Sequence, residues 1–236
     1  MKNHFLIIDT ETTMANNVVD FGAVVCDRKG RIQTQAGVLL GDIYFDRTDN
    51  LLFHFKGESG FWNPTRLEER YSAYDRMIEN GTRMLASVSA INRWLERVRG
   101  EFNPILTAYN LAFDISKCSQ TGIDLSIFSE RFCLWHAAAA KWAKSKAYRQ
   151  NILDTVSFNS PTDKGNMSYQ TNADTMARFI IGPDLPPEPH TALEDIIGYE
   201  LPILMALVKR TPKKDYLNPP PYSWKEYQVR EHFKPA

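Results

Sequence analysis

The hydrophobic pattern of the first forty residues predicts three strands. Residues 5–8 are apolar without alternation, which is typical of a strand that is buried on both faces. Residues 18–26 and 32–40 are rich in β-forming side chains, and the polar segment between them contains Gly30, as a hairpin turn does. These segments predict an antiparallel meander at the start of the fold.

From residue 66 onwards, helical and strand-like patterns alternate. Helices are predicted over residues 66–79, 87–98, 111–120, 136–148 and 172–181 and from Thr191, and short strands over residues 104–109 and 127–135. Asn110 is the predicted cap of the third helix, and Gly122 its predicted end. The order predicts an α/β fold in which helices flank a mixed central sheet, with an antiparallel meander first and parallel strands afterwards.

The chain divides into one domain and a tail. Residues 1–208 are predicted to form the domain, and residues 41–65 within it show no clean period and are interpreted as an irregular insertion. Residues 209–236 contain five prolines and seven basic against three acidic residues. This composition predicts an extended strap or partial disorder.

Composition narrows the classes of protein to consider. The 236 residues are 43% hydrophobic and 24% charged, which suits one folded domain and excludes a largely disordered or fibrous chain. Basic and acidic residues number 28 each, so no overall positive charge attracts nucleic acid or anionic lipid. A polyanion would have to be bound locally.

The cysteine content and the apolar runs indicate a cytoplasmic protein. Cys26, Cys118 and Cys133 are too few and too widely spaced for a disulfide framework. The N-terminal apolar run is shorter than a signal-peptide core, and no stretch approaches the roughly 20 apolar residues that span a bilayer. We therefore expect a reducing compartment and no membrane partner.

A pair of carboxylates follows the first strand. Asp9 and Glu11 are two residues apart, and the period of a strand places both on one face. Such a pair can share a divalent cation, and its hard oxygen ligands suit Mg²⁺ or Mn²⁺. The alternative is that Asp9 and Thr10 merely begin a turn.

A second motif lies where a predicted strand gives way to a helix. The sequence Asn110-Leu111-Ala112-Phe113-Asp114 places Asp114 in the first helical turn, where the helix dipole favours a carboxylate. The alternative is an ordinary acid at a helix N-terminus.

A third motif is His190-Thr191-Ala192-Leu193-Glu194-Asp195. Thr191 and Glu194 fit a capping box, which leaves His190 in the preceding loop and puts Asp195 just inside the helix. A loop histidine can then approach a site in which Asp195 is held rigidly. The alternative is a surface histidine beside a routine cap.

Together, the order, the spacing and the chain positions of the three motifs resemble those of the DEDDh family of 3′-to-5′ exonucleases. That family includes the proofreading subunit of bacterial DNA polymerase III, ribonuclease T and oligoribonuclease, and it has a ribonuclease H-like fold. The resemblance runs from about residue 5 to residue 207, although its specific signal is confined to the three motifs.

The resemblance implies a metal-dependent enzyme with two divalent cations, Mg²⁺ or Mn²⁺. It implies that Asp9 bridges both cations, that Glu11 and Asp195 complete the site that activates water, and that Asp114 supports the second cation near the leaving oxygen. His190 would be the general base.

The resemblance also implies a cradle for the terminal nucleotide directly after the first acidic pair. Threonine hydroxyls and backbone N–H groups would bind the terminal sugar, and Met14, where many relatives have glycine, would pack against the base. The expected substrate-binding residues are Thr10, Thr12, Thr13, Met14, Asn110 and Phe113.

The implied function is hydrolysis of phosphodiester bonds from the 3′ end of single-stranded DNA, with release of nucleoside 5′-monophosphates. The motifs leave open an exoribonuclease that trims RNA 3′ ends or short oligoribonucleotides. A non-catalytic module that binds a nucleic-acid end is the alternative from another class. The oligomeric state is also left open, a homodimer included.

Overall fold

The computed structural model describes residues 4–51, 64–162 and 165–229. Its centre is one six-stranded sheet in the order β4-β3-β2-β1-β5-β6. The strands are β1 (His4–Thr12), β2 (Val18–Asp27), β3 (Ile32–Leu40), β4 (Met84–Ala86), β5 (Ile105–Ala108) and β6 (Arg131–Cys133). β1, β2 and β3 pair antiparallel, whereas β5 joins β1, β6 joins β5 and β4 joins β3 in parallel. The predicted α/β architecture, a mixed sheet with an antiparallel meander first and parallel strands afterwards, is confirmed.

Helices cover both faces of this sheet. They are α1 (Gly41–Tyr44), α2 (Pro64–Glu79), α3 (Val88–Phe102), α4 (Leu111–Thr121), α5 (Leu134–Ala138), α6 (Lys146–Asp154), α7 (Ala173–Ile181), α8 (Ala192–Asp195), α9 (Leu201–Arg210) and α10 (Lys213–Leu217). Two π-helical turns, Ala139–Ala143 and Ile196–Glu200, follow α5 and α8, and a 3-10 turn spans Trp224–Tyr227. No helix in the described ranges has the length and apolarity needed to cross a membrane.

Strand β1 separates two hydrophobic cores. Leu6 and Ile8 pack on the face that α3 and α4 cover, and Phe5 and Ile7 pack on the face that α5, α7 and α9 cover. All four side chains are at most 1% exposed. The prediction of a strand buried on both faces is therefore confirmed.

Two predicted elements differ from the observed ones, and one observed strand was not predicted. The strand predicted over residues 127–135 is limited to β6, and the alanine-rich helix predicted over residues 136–148 passes into a π-helical turn before Ser145 caps α6. Strand β4 was not predicted, because three residues with Met84 and Leu85 exposed carry no periodic signal.

The insertion and the tail contain more regular structure than expected. Within the insertion, residues 41–44 form α1, and α2 already begins at residue 64; residues 52–63 lie outside the described part. In the tail, α10 and the 3-10 turn replace an extended strap, and Tyr216 and Tyr227 are buried against the core that contains α9. Burial of these two aromatic rings supplies the tertiary contact that composition alone does not reveal. Residues 230–236 lie outside the described part.

Helix α8 lies directly against the sheet at two glycines. A Cβ atom on Gly22 of β2 would be 2.5 Å from the carbonyl carbon of Ala192 and 2.6 Å from the backbone nitrogen of Leu193. A Cβ on Gly37 of β3 would be 2.8 Å from the Leu193 side chain. The backbone of α8 can approach this closely only because β2 carries no side chain at position 22.

We predict that Gly22→Ala lowers the free energy of unfolding by about 1–3 kcal/mol, the usual cost of overpacking, because the new methyl group collides with backbone atoms that cannot move aside. Thermal denaturation followed by circular dichroism measures the change. Gly100→Ala is the control, since Gly100 is exposed in α3 and a Cβ there meets no atom within 4 Å. Equal stability of the Gly22→Ala variant and the parent would contradict the close approach.

Candidate active site

Strand β1 presents two carboxylates on one face. Asp9 and Glu11 both lie within the strand, where Asp9 is opposite Gly22 and Glu11 is opposite Asp20 on β2. Both acids are partly buried. The strand continues to Thr12, beyond the predicted residues 5–8, so the acids belong to a rigid element and not to a turn.

Glu11 meets His190 and Asp195. Each of the three residues offers one ligand atom, and these atoms lie within 4.8 Å of one another. The structure thus brings the first and the third sequence motif together, with Glu11 and His190 partly accessible and Asp195 buried. One carboxylate-rich cluster forms from opposite ends of the chain.

Asp114 is attached to the same strand. It lies in the first turn of α4, as predicted, and it is 1% exposed. The hydroxyl group of Thr10 donates a hydrogen bond to Asp114 Oδ1 at 2.9 Å. Because Thr10 stands between Asp9 and Glu11 in β1, this bond fixes the second motif beside the first.

The carboxylates destabilise one another's charged forms. Burial, followed by the charges of Glu188 and Asp20, raises the pKa of Asp9 to about 7. Burial, followed by the charges of Asp9 and Glu188, raises the pKa of Asp195 to about 10. Burial is likewise the main reason why the pKa values of Glu11 and Asp114 lie well above the usual range. Protons or cations must therefore compensate the charge of this cluster.

One carboxylate oxygen of the cluster makes no hydrogen bond within the described structure. Asp195 is 3% exposed, and its Oδ1 atom is buried without a hydrogen-bond partner among the described residues. Buried polar atoms normally have a partner, so an unpaired carboxylate oxygen marks a position where a further ligand fits. Its surroundings of carboxylates favour a cation there.

Arg70 of α2 connects the cluster to the histidine loop. Its Nη2 atom lies 3.6 Å from Glu11 Oε1, and its Nη1 atom donates to the carbonyl oxygen of Pro189 at 3.0 Å. It also donates to the hydroxyl group of Tyr74 at 3.3 Å. The positive charge of Arg70 lowers the pKa of Glu11 and Asp195 against the dominant effect of burial.

Helix α8 is held by a buried ionic network. Asp20 accepts hydrogen bonds from the N–H group of Ala192 at 3.0 Å and from Arg83 Nε at 3.0 Å. Arg83 in turn donates to Glu194 Oε1 at 3.0 Å. Thr191 is the N-cap of α8, as predicted, but its side chain makes no capping bond within the described structure. Asp20 takes over the capping role because it reaches the helix N-terminus from β2.

His190 has a left-handed backbone conformation, with φ of 56°. This conformation is costly for a residue other than glycine and persists only where neighbouring contacts enforce it. Arg70 binds the preceding carbonyl group, that of Pro189, and Asp20 binds the N–H group of Ala192 two residues later. The backbone of the loop is therefore held by a hydrogen bond on each side of His190.

The prediction that Asn110 is the cap of α4 is confirmed, although its side chain makes no capping hydrogen bond. Its backbone is left-handed, with φ of 74°. Asparagine tolerates this conformation better than most residues do. Its exposed amide side chain remains available to a ligand beside Phe113.

Some of the expected substrate-binding residues are buried, and others are exposed. Thr10, Thr12 and Thr13 are at most 5% exposed; Thr10 donates to Asp114, and Thr13 donates to Asp49. Met14 and Phe113, in contrast, are 46% and 39% exposed. Among these residues, Met14 and Phe113 thus expose apolar surface.

The sequence motifs missed three charged residues near the cluster. Arg70 follows no motif and is recognised only from its contacts. Glu188 lies two residues before His190 in a proline-rich loop, and its charge raises the pKa of Asp9 and Asp195. Glu200 follows Asp195 by five residues and is 3% exposed. Glu188 and Glu200 lie close to the third motif along the chain, and this closeness is the sequence signal that could have identified them.

Comparisons with known proteins give one structural similarity. No family model and no curated protein matches the chain. Among solved structures, Escherichia coli Exonuclease I in complex with a 5cy-dT13 oligonucleotide is similar, with 13% sequence identity and a TM-score of 0.45. The alignment covers 92% of this chain and 42% of that chain. The chain thus spans less than half the length of this structural neighbour.

We predict that, in a chelator, the free energy of unfolding falls as the pH rises from about 4 to neutrality. Folded Asp9 and Asp195 stay protonated up to pH values of about 7 and about 10, whereas unfolded aspartates ionise near pH 4. In this window the folded state binds more protons, so rising pH opposes folding. Chemical denaturation at several pH values with EDTA measures the slope.

Asp195→Asn should remove the part of this pH dependence of the unfolding free energy that comes from Asp195, because the amide mimics the protonated acid. At pH 8 in EDTA, we expect the variant to melt several degrees above the parent. Asp184→Asn, an exposed acid in the preceding loop, is the matched control and should melt with the parent. A parent whose stability increases from pH 5 to pH 8 would show that the cluster is already compensated.

Proposed function

We propose that the chain is a metal-dependent 3′-to-5′ exonuclease of the DEDDh type. It would hydrolyse phosphodiester bonds from the 3′ end of single-stranded DNA and release nucleoside 5′-monophosphates. The observation that carries the proposal is the cluster of Glu11, His190 and Asp195, whose ligand atoms lie within 4.8 Å of one another. Asp9 shares the strand with Glu11, and Asp114 is bonded to the intervening Thr10.

The residues of the cluster fit divalent cations. Carboxylate oxygens are the ligands that Mg²⁺ and Mn²⁺ prefer, and Asp195 Oδ1 is buried without a partner among the described residues. Two divalent cations would balance the charge of four ionised carboxylates. Asp9, Glu11, Asp114 and Asp195 are the residues that would hold these cations.

When bound, two such cations supply an activated water and stabilise the leaving oxygen of a phosphodiester. The residues of this chain then have separate tasks. Glu11 and Asp195 lie next to His190, so this side of the site is assigned to the attacking water. Asp114 lies on α4 beside Thr10, and this side is assigned to the leaving 3′-oxygen.

His190 is the proposed general base. Its ring nitrogen lies among the ligand atoms of Glu11 and Asp195, and its loop is held from α2 and β2. An imidazole changes its protonation near neutral pH, which suits it to accept the proton of the attacking water. The neighbouring carboxylates orient and stabilise the resulting imidazolium.

Recognition of the 3′ end is assigned to the exposed residues beside the cluster. Met14 and Phe113 offer apolar surface to the terminal base, and Asn110 offers an amide. The segment that carries Met14 is held by Asp49, which accepts a hydrogen bond from Ala15 N–H at 2.9 Å. Stacking of a base on an aromatic side chain contributes about 1–3 kcal/mol and tolerates any sequence.

The main test is digestion of matched DNA and RNA oligonucleotides that carry a 5′ label, with Mg²⁺, Mn²⁺ or EDTA. We expect cation-dependent shortening from the 3′ end and release of mononucleotides. Asp9→Ala and Asp195→Ala should each lower the rate by more than about 100-fold, since even outer partners of metal sites cost about 10–100-fold when mutated. Asp184→Ala should retain the parental rate.

The outcomes separate the alternatives. Preferential cleavage of RNA would make the chain an exoribonuclease, with the same site and mechanism. Binding of oligonucleotide ends without cleavage under any cation would favour a non-catalytic module and contradict the proposal. Internal cleavage would contradict the assignment of a 3′-end cradle.

His190→Ala should lower kcat by about 100- to 10,000-fold, the usual contribution of a general base. Its Mn²⁺ affinity should stay within a few-fold of the parent, because the carboxylates are retained. The acidic limb of the pH-rate profile should disappear in the variant. His136→Ala, a histidine outside the cluster, is the control. An unchanged pH-rate profile in His190→Ala would rule out the base assignment.

A further inference from the structure

Glu200 is a buried carboxylate that the three sequence motifs do not include. It is 3% exposed. Its Oε1 atom accepts a hydrogen bond from the N–H group of Tyr109 at 3.1 Å, whereas its Oε2 atom is buried without a hydrogen-bond partner in the described ranges. A carboxylate that were only structural would be expected to have both oxygens satisfied.

A π-helical turn separates Asp195 from Glu200. In a regular α-helix, residues five positions apart point in directions about 140° apart. Here the turn Ile196–Glu200 is π-helical, and the N–H group of Leu201 bonds to the carbonyl oxygen of Ile196, five residues earlier. This wider turn places residues five positions apart near each other, and such turns occur often at functional sites.

Pro202 supplies a local cause for the wider turn. It stands at the start of α9, has no N–H group to donate, and its ring collides with the carbonyl group four residues earlier in a regular helix. The helix that begins at α8 therefore cannot keep an ordinary hydrogen-bond ladder through this point. The resulting turn leaves Glu200 buried.

A hydrogen bond connects Glu200 to the end of β5, the strand that pairs with β1. Leu6 is opposite Leu106 and Ile7 is opposite Thr107 in the parallel pair of β1 and β5. Asp9 lies two residues beyond Ile7 in β1, and Tyr109, whose N–H group binds Glu200, directly follows β5. In agreement, the charges of Asp9 and Asp114 add to burial in raising the pKa of Glu200.

We propose that Glu200 is a fifth carboxylate of the cation centre and acts on the side of Asp9 and Asp114. This inference rests on the proposed function. The free Oε2 atom would bind the second cation, directly or through one of the waters that Mg²⁺ usually retains. Glu200 would thereby hold the cation on the leaving-oxygen side, where Asp114 would otherwise act with Asp9 alone.

The test is Mn²⁺ binding to the full chain, measured by isothermal titration calorimetry and by electron paramagnetic resonance of free Mn²⁺. We expect the parent to bind two ions. Glu200→Gln keeps an acceptor for Tyr109 N–H but loses the negative charge, so it should bind the weaker ion at least about 10-fold less tightly. The Mg²⁺ concentration for half-maximal cleavage should rise in parallel.

Two further variants complete the design. Glu200→Asp keeps the charge and should recover part of the lost Mn²⁺ affinity, which a purely structural role would not require. Glu96→Gln, which changes an exposed glutamate of α3, should bind Mn²⁺ as the parent does. Circular dichroism and thermal denaturation establish that every variant is folded.

Failure of this inference is distinguishable from failure of the proposed function. Two Mn²⁺ ions and full cleavage in both the parent and Glu200→Gln, with equal affinities, would overturn the role of Glu200 and leave the exonuclease intact. A parent that binds no Mn²⁺ and cleaves no oligonucleotide would overturn both. Loss of the weaker ion in Glu200→Gln, with its partial return in Glu200→Asp, is the result that supports the role.

Discussion

The attachment of α8 to the sheet is the constraint on which the candidate site depends. Asp195 must approach Asp9 and Glu11 although the three carboxylates repel one another, and an opposing interaction has to hold it there. The buried pair of Asp20 and Arg83 does so, together with the glycine at position 22 that lets the helix backbone touch β2. Removal of one partner from a buried ion pair costs about 3–5 kcal/mol, because the remaining charge is left buried without a partner, so the attachment depends on Asp20 and Arg83 being present together.

The same constraint explains the histidine loop. His190 lies between two anchored groups, the Pro189 carbonyl bound by Arg70 and the Ala192 N–H bound by Asp20, and its left-handed backbone costs of the order of 1–3 kcal/mol. That cost is sustained because both anchors belong to elements packed on the sheet. Arg70 also faces Glu11, so the group that positions the loop is at the same time a counter-charge for the cluster. A cation bound at Glu11 would replace Arg70 as the counter-charge, and Arg70 would then only position the loop.

The sequence was sufficient for the features that depend on local pattern. The meander and most of the alternating strands and helices follow from periodicity, and the meeting of Glu11 with His190 and Asp195 was expected from motifs whose order resembles that of a known family. What could not be predicted depends on tertiary partners. Thr191 fits a capping box, yet the N–H group of Ala192 is capped by Asp20, which lies 172 residues earlier in the chain than Ala192. Arg70 has no motif, and the position of Glu200 depends on a π-helical turn that helical periodicity cannot anticipate.

The charge balance of the cluster ties stability to function. Carboxylates buried together can be neutralised by protons or by divalent cations, and the pKa of Asp195, about 10, means that protons prevail when cations are absent. A cation must therefore displace protons to bind, which makes its apparent affinity rise with pH. Because the unfolded chain has no assembled site, cation binding stabilises the folded state by mass action. A centre of this kind is least stable when it is empty at alkaline pH, and a cation stabilises it most under the same conditions. Additional carboxylates such as Glu200 steepen this dependence, because each one adds a charge that is tolerated only in the presence of a counter-ion.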